Sequence, residues 1–248
     1  MITRLQIGTS RLENLPSRSL QIFLDKTWIH LGDPRHENEN GHLKKYSFFE
    51  VIKYFKTHII YISKILFINN KKEQTKISEA DITKIYSKTN FQEFYYQKGD
   101  RLPFDNNSIS FIFSEHFFEH LFLDEALSLL TECYRILKPY GVIRTCVPDA
   151  DLRTYEPPEP VGFPDINLTF ENSAKHKTRW SVYSLGEAIK IAGFKAVPLH
   201  YCNKSGEYIK VNPSEIDSYQ NCLEHELIFD FSYIKRIDSL IVDGLKRM

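Results

Sequence analysis

Apolar positions are densest in residues 102–151 (LPFDNNSISFIFSEHFFEHLFLDEALSLLTECYRILKPYGVIRTCVPDAD), and their spacing changes twice within that stretch. The run SFIFS at 110–114 is short, apolar and aromatic, and it follows the turn-forming Asp105-Asn106-Asn107. That is the pattern of a strand buried on both faces. From Asp124 to Leu137 the period lengthens: Ala126, Leu127, Leu130, Cys133, Tyr134 and Leu137 recur at three- and four-residue steps, making one face of an amphipathic helix. Lys138-Pro139-Tyr140-Gly141 ends it, because proline cannot continue the helical ladder and glycine accepts the left-handed conformation that a helix exit often needs. A second strand, 141–147, follows and runs into Pro148-Asp149. Strand, helix and strand in this order predict a βαβ unit of an open α/β sheet, in which ligands bind outside the carboxyl ends of the strands. Ser114, Glu115, His116 and Asp149 stand at those ends.

The rhythm breaks between Asp33 and Ile85. A polar turn, PRHENENGH, leads into an apolar and aromatic stretch at 46–69 that carries Lys53, Lys56, His58 and Lys64. Charges at that frequency argue against a transmembrane span and for a packed helix. A basic amphipathic helix resting on a membrane or a partner is the alternative. The cluster KKEQTK at 71–76 reads as a solvated loop. The proline-rich YEPPEPVGFP at 155–164 cannot form regular structure and predicts a lid or a wall for a substrate. The expected organisation is therefore one domain over 1–248, with a helical insertion at 34–85 and a lid or substrate loop at 152–180.

Composition narrows the function. At 248 residues the chain is long enough for one domain with a substantial core and insertions. With 32 basic and 32 acidic residues the formal net charge is zero, so no overall field draws nucleic acid or an anionic membrane. The four cysteines have no CxxC spacing, and MITRLQIGTS enters a strand pattern with no room for a signal peptide. Buried, reduced thiols in a cytoplasmic protein are expected.

The run LPFDNNS, FSEHFFEHL, ECYRILKPYGVIR and VPD resembles the second half of the catalytic domain of class I S-adenosylmethionine-dependent methyltransferases, in particular a small bacterial subgroup associated with sugar and polysaccharide modification. RLQIGTS and Trp28-Ile29-His30-Leu31 resemble that group's first strand, nucleotide loop and second strand. HKTRWSVYSLGEAIKIAGFKAV resembles its late helix and strand, and SLIVDGLK its final strand. The resemblance implies an α/β, Rossmann-like, mostly parallel doubly wound sheet with an antiparallel terminal strand. It also implies S-adenosylmethionine as cofactor, no resident metal, and methyl transfer to a hydroxyl or amine of a small molecule or glycan.

Carried onto this chain, the resemblance assigns the cofactor to Gly8, Thr9, Ser10, Asp33, Gln97, Asp100, Ser114 and Glu115. Three positions depart from the pattern. Ser10 replaces a second glycine; Gly32 stands where an acid usually binds the ribose hydroxyls, leaving Asp33 one step later; and Gln97 and Lys98 replace an aspartate near the adenine. These departures raise a second reading, a catalytically degenerate binding or scaffold protein. In the enzyme reading His116 is the base, Asp149 orients a substrate hydroxyl, and His176 and Arg179 contact substrate. The letters HFFEH at 116–120 also permit a remote third reading, a zinc hydrolase whose two histidines hold metal on one helical face. Its weakness is that His116 directly follows a strand, whereas that motif belongs inside a long helix.

Overall fold

A computed structural model describes residues 3–8, 22–32, 89–152 and 176–248. The 34–85 insertion, the 46–69 stretch, residues 153–175, and Thr9, Ser10 and Asp33 lie outside the described residues.

The buried run predicted at 110–114 is the middle of the central strand, and every residue of that strand is buried. In chain order the strands are β1 (Arg4–Ile7), β2 (Trp28–Gly32), β3 (Phe91–Glu93), β4 (Ile109–Glu115), β5 (Leu137–Val147), β6 (Lys195–Cys202), β7 (Tyr208–Lys210) and β8 (Leu240–Leu245). They form one sheet in the spatial order β3-β2-β1-β4-β5-β8-β6-β7. Strands β1 to β5 pair in parallel, whereas β8 enters antiparallel between β5 and β6. This is a Rossmann-like, mostly parallel sheet with an antiparallel terminal strand, the class I methyltransferase fold class. The short edge strand β7 had no counterpart in the sequence pattern.

Strand alternation divides the core in two. Ile112, Ile143, Val147, Leu240 and Val242 face one layer, which contains α1 (Leu123–Ile136) and α2 (Val182–Ile191). Phe111, Phe113, Val142, Cys146 and Ile241 face the other, built from 213–234 and including the short helix α3 (His225–Phe229). Helix α1 buries Ala126, Leu130 and Cys133, as expected from their spacing, together with Leu129 and Ile136, whereas Leu127 and Tyr134 are half-buried and Leu137 already belongs to β5. The Glu125 carboxylate accepts the Phe122 N–H at 2.8 Å, satisfying one donor at the helix entrance. Helix α2 starts at Ser181, whose hydroxyl accepts the Ser184 N–H.

The α1–β5 junction differs from the glycine turn predicted by sequence. Helix passes directly into strand at Leu137, and Tyr140, not Gly141, takes the left-handed conformation with φ 65°. Gly141 is required for space: a Cβ there would lie 2.8 Å from Leu137 Cδ2 and 2.9 Å from the Lys138 carbonyl oxygen. All four cysteines are free and buried. Among the described residues no helix is long and apolar enough to cross a membrane.

A buried polar network ties the second layer to the sheet. Arg144 and Asp243, both fully buried, face each other across β5 and β8. The guanidinium donates through Nε to Asp243 Oδ1 at 2.9 Å and through Nη2 to Oδ2 at 2.8 Å. Its other bonds go to the carbonyls of Leu227 and Ile228 and to the Tyr233 hydroxyl oxygen, and Tyr219 O–H donates to Asp243 Oδ2. Each charge is met by several partners, as a buried ion pair requires.

Candidate active site

The carboxyl ends of β1, β2 and β4 form a continuous row. Ile7 is in register with Leu31 on one side and Ser114 on the other, and the Gly8 N–H donates to the Leu31 carbonyl at 2.8 Å. Gly8 has φ 75°, a region that glycine enters at little cost. A side chain there would overlap Phe117, whose Cβ and ring lie directly against the glycine. The loop after β1 and the segment after β4 therefore meet at Gly8, next to His116.

Ser114 and Glu115 point to opposite faces of the sheet. Ser114 is fully buried and its hydroxyl has no hydrogen-bond partner. Such an orphaned group beside a ligand row is unusual, because buried polar atoms are normally paired. Glu115 turns toward the C-terminal layer, where Oε1 accepts the N–H groups of Lys235 and Arg236 at 2.7 and 2.9 Å. Burial raises its carboxyl above the ordinary value. The carboxylate predicted to line the cofactor thus secures the 235–236 turn.

His116 occupies the strand's exit with φ 51°, an uncommon conformation for a residue with a side chain. Its Nδ1 lies 2.6 Å from Arg236 Nη1 and its Nε2 lies 2.8 Å from Ser239 Oγ. A guanidinium can only donate, so Nδ1 is the accepting nitrogen and Nε2 carries the hydrogen. Immediately beyond, Phe118–His120 forms a single 3₁₀ turn, not a long helix. His116 and His120 are therefore not two positions on one α-helical face.

Asp149 is also buried, and its carboxylate is engaged on both oxygens: Oδ1 accepts the Asp151 N–H at 3.0 Å and Oδ2 the Cys202 N–H at 2.6 Å. Burial raises its carboxyl above the ordinary value. Gln97 and Asp100 are exposed in the turn after β3, bonded to each other through Gln97 N–H to Asp100 Oδ2 at 2.8 Å. That turn rests on α1 through the Gly99 N–H to Ser128 Oγ bond. Arg179 is exposed, whereas His176 is partly buried with its pKa lowered, chiefly by burial.

One residue at the row escaped sequence reading, and a second was read only within the HFFEH letters. Glu93, exposed at the end of β3, is in register with Gly32 and brings a carboxylate next to the strand that lacks one. Glu119 is buried behind His116, with neither carboxylate oxygen hydrogen-bonded. The strand order and the HFFEH letters pointed at this region, but neither reveals which way a side chain after a strand will turn.

Residues 60–145 match a family model described as a methyltransferase domain. That match takes in about a third of the chain and supports methyl transfer. It takes in β4, α1 and most of β5 and implies S-adenosylmethionine as the cofactor. Solved structures with a similar fold include an S-adenosylmethionine-dependent methyltransferase from Thermotoga maritima, with 12% identity over 99% of this chain and 82% of that one and a TM-score of 0.46. The Haloferax volcanii complex between the Trm112 methyltransferase activator and a methyltransferase matches with 17% identity over 99% and 83%, TM-score 0.44. An S-adenosylmethionine-dependent methyltransferase from Aquifex aeolicus matches with 16% identity over 84% and 78%, TM-score 0.39. No curated protein matches the sequence.

The row fits this cofactor in part. Gly8 has the positive φ of a cofactor loop, but Phe117 fills the space its missing side chain leaves, so the unpaired Ser114 hydroxyl is the feature of this row that calls for a ligand. At the end of β2, Gly32 offers no carboxylate for ribose hydroxyls.

Proposed function

We propose that this chain transfers a methyl group from S-adenosylmethionine to a hydroxyl or amine of a small molecule or glycan, with His116 as the base. The observation that carries this reading is the placement of His116: it follows β4 immediately, stands beside the Gly8–Phe117 contact, and keeps a lone pair on Nδ1. The bound cofactor supplies an electrophilic methyl carbon on sulfur. The acceptor oxygen or nitrogen forms a bond to that carbon as the carbon–sulfur bond breaks and its electron pair passes to sulfur. The acceptor's proton goes to His116 Nδ1, where the substrate takes the place of the Arg236 N–H. Most of the rate comes from alignment of donor and acceptor, with proton removal contributing further when the acceptor is a hydroxyl.

Gly8 and Ser114, with Thr9 and Ser10 after them in the chain, are assigned to the cofactor. Asp33 or Glu93 supplies the ribose carboxylate, and Gln97 and Asp100 lie on the adenine side. Asp149 acts here by holding the turn after β5. His176 and Arg179 are assigned to the acceptor, and the 34–85 and 152–180 segments to its pocket. A cytoplasmic setting and a role in polysaccharide assembly follow from the same resemblance.

Isothermal titration with S-adenosylmethionine and S-adenosylhomocysteine tests the cofactor, with binding at micromolar to submillimolar concentration expected. Absence of heat for both at millimolar concentration would overturn the enzyme reading in favour of a scaffold. His116→Gln should reduce label transfer to a hydroxyl acceptor by about 100-fold or more while cofactor affinity stays within threefold. Equal activity of the variant removes His116 from the reaction.

A further inference from the structure

We propose that Glu119, His120 and His176 form a binding site for a first-row divalent metal ion. One ligand atom from each of the three lies within 4.8 Å of the others. The imidazoles of His120 and His176 meet edge to face, with ring centroids 4.9 Å apart and an interplanar angle of 84°.

The independent sign of a ligand is Glu119. It is 1% exposed, and both carboxylate oxygens are buried without a hydrogen-bond donor. His116 Nδ1 lies 3.2 Å from Oε1 and pairs with it only when the imidazole is protonated. In the neutral imidazole that nitrogen accepts from Arg236 Nη1 and has no proton to offer. A buried carboxylate without donors is costly, and a bound cation is one of the few partners that removes the cost.

The two halves of the site are joined by the backbone. The Glu119 carbonyl accepts the N–H of Lys177 at 2.7 Å and of Thr178 at 3.1 Å, and the Thr178 hydroxyl donates to the Phe118 carbonyl at 3.2 Å. The segment carrying His176 is thus fixed against the 3₁₀ turn carrying Glu119 and His120 before any ion arrives, as a preorganised site requires.

The ligand set selects the ion. Two imidazoles and one carboxylate suit zinc and neighbouring divalent ions better than calcium or magnesium, which prefer all-oxygen shells. Ligands about 2.0–2.2 Å from zinc in a tetrahedral shell stand roughly 3.3–3.5 Å apart, so modest side-chain rotation closes the observed separations. Three protein ligands leave a further position for water or for an oxygen or nitrogen of a bound molecule. This site differs from the HxxEH arrangement, since His116 is not a member and the third ligand comes from the segment before α2.

The test uses the full chain stripped with a chelator, and does not depend on methyl transfer. Zinc titrated in competition with a chromophoric chelator should bind at about one equivalent, and cobalt should give visible absorption bands of a nitrogen- and oxygen-ligated ion. His176→Ala and His120→Ala should each weaken zinc binding by about 100-fold or more, whereas His225→Ala, on the exposed start of α3, should leave it unchanged. Glu119→Gln, which keeps the side chain's shape, provides a second variant if an alanine protein fails to fold. Zinc binding that survives in His176→Ala and Glu119→Gln, or no competitive binding by the parent, would overturn the proposal, whether or not S-adenosylmethionine binds.

Discussion

Asp243, inside β8, and Glu119, in the 3₁₀ turn after β4, are both buried acids, yet the fold treats them differently. Asp243 meets Arg144 through two bonds and Tyr219 through a third, and Arg144 in turn reaches two carbonyls and a hydroxyl. Glu119 has no hydrogen-bond donor on either oxygen. The difference separates architecture from site. Where protein groups satisfy a buried charge completely, the charge fixes the packing of one layer on another. Where they do not, the missing partner comes from outside the chain.

The largest effect should come from breaking the complete network. Asp243→Asn or Arg144→Leu leaves a buried partner uncompensated and should cost about 3–5 kcal/mol in urea unfolding. Replacing both by apolar residues should recover most of that loss. A single-variant cost below about 1 kcal/mol would show that the network does not carry the second layer.

The next effect concerns His30, whose Nδ1 pairs with Gln6 Oε1 at 2.8 Å while its buried Nε2 has no partner. Burial lowers its pKa from 6.5 to about 4. Below pH 6.5 the unfolded chain takes up a proton that the folded chain refuses, so stability falls as pH falls and levels off near pH 4. The loss across that window should be about 3 kcal/mol relative to a His30→Asn variant, read from urea midpoints at matched pH. Parallel pH profiles for the two proteins would show that His30 is hydrated in the folded state.

The smallest loss should be at Glu119. In metal-free protein, Glu119→Gln removes a costly buried charge with no hydrogen bond to lose, so stability should be unchanged or should rise. This sharpens the comparison, because the same chemical change at Asp243 is expected to destabilise. A loss above about 2 kcal/mol at Glu119 would mean that the fold already satisfies it.

Much of the frame was legible in sequence because it rests on local periodicity. The apolar run at 110–114 and the three- and four-residue steps of α1 carry their own pattern, whereas the late SLIVDGLK strand was legible only through the family resemblance. The site was less legible because it depends on direction and on distant partners. Alternation along β4 places Ser114 and Glu115 on opposite faces, but the letters do not say that residues 235–236 will cap Glu115. Tyr140 takes the left-handed position expected of Gly141 because the crowding around Gly141 comes from Leu137 and from β4, through the Ser110 carbonyl. Glu119 and His176 meet across a stretch with no sequence signal for their pairing.

The pinning of the chain on either side of residues 153–175 has an evolutionary consequence. Asp149 bridges Trp180 and bonds Cys202, the Ala150 N–H reaches the Trp180 carbonyl, and Lys177 and Thr178 are held by Glu119. Both ends are thus fixed by the frame, independently of the residues between them. Lengthening a connection whose ends are held costs only about 0.6 kcal/mol for each doubling. Insertions and deletions can accumulate there while the sheet keeps its register, so the frame and the length of this connection can evolve separately.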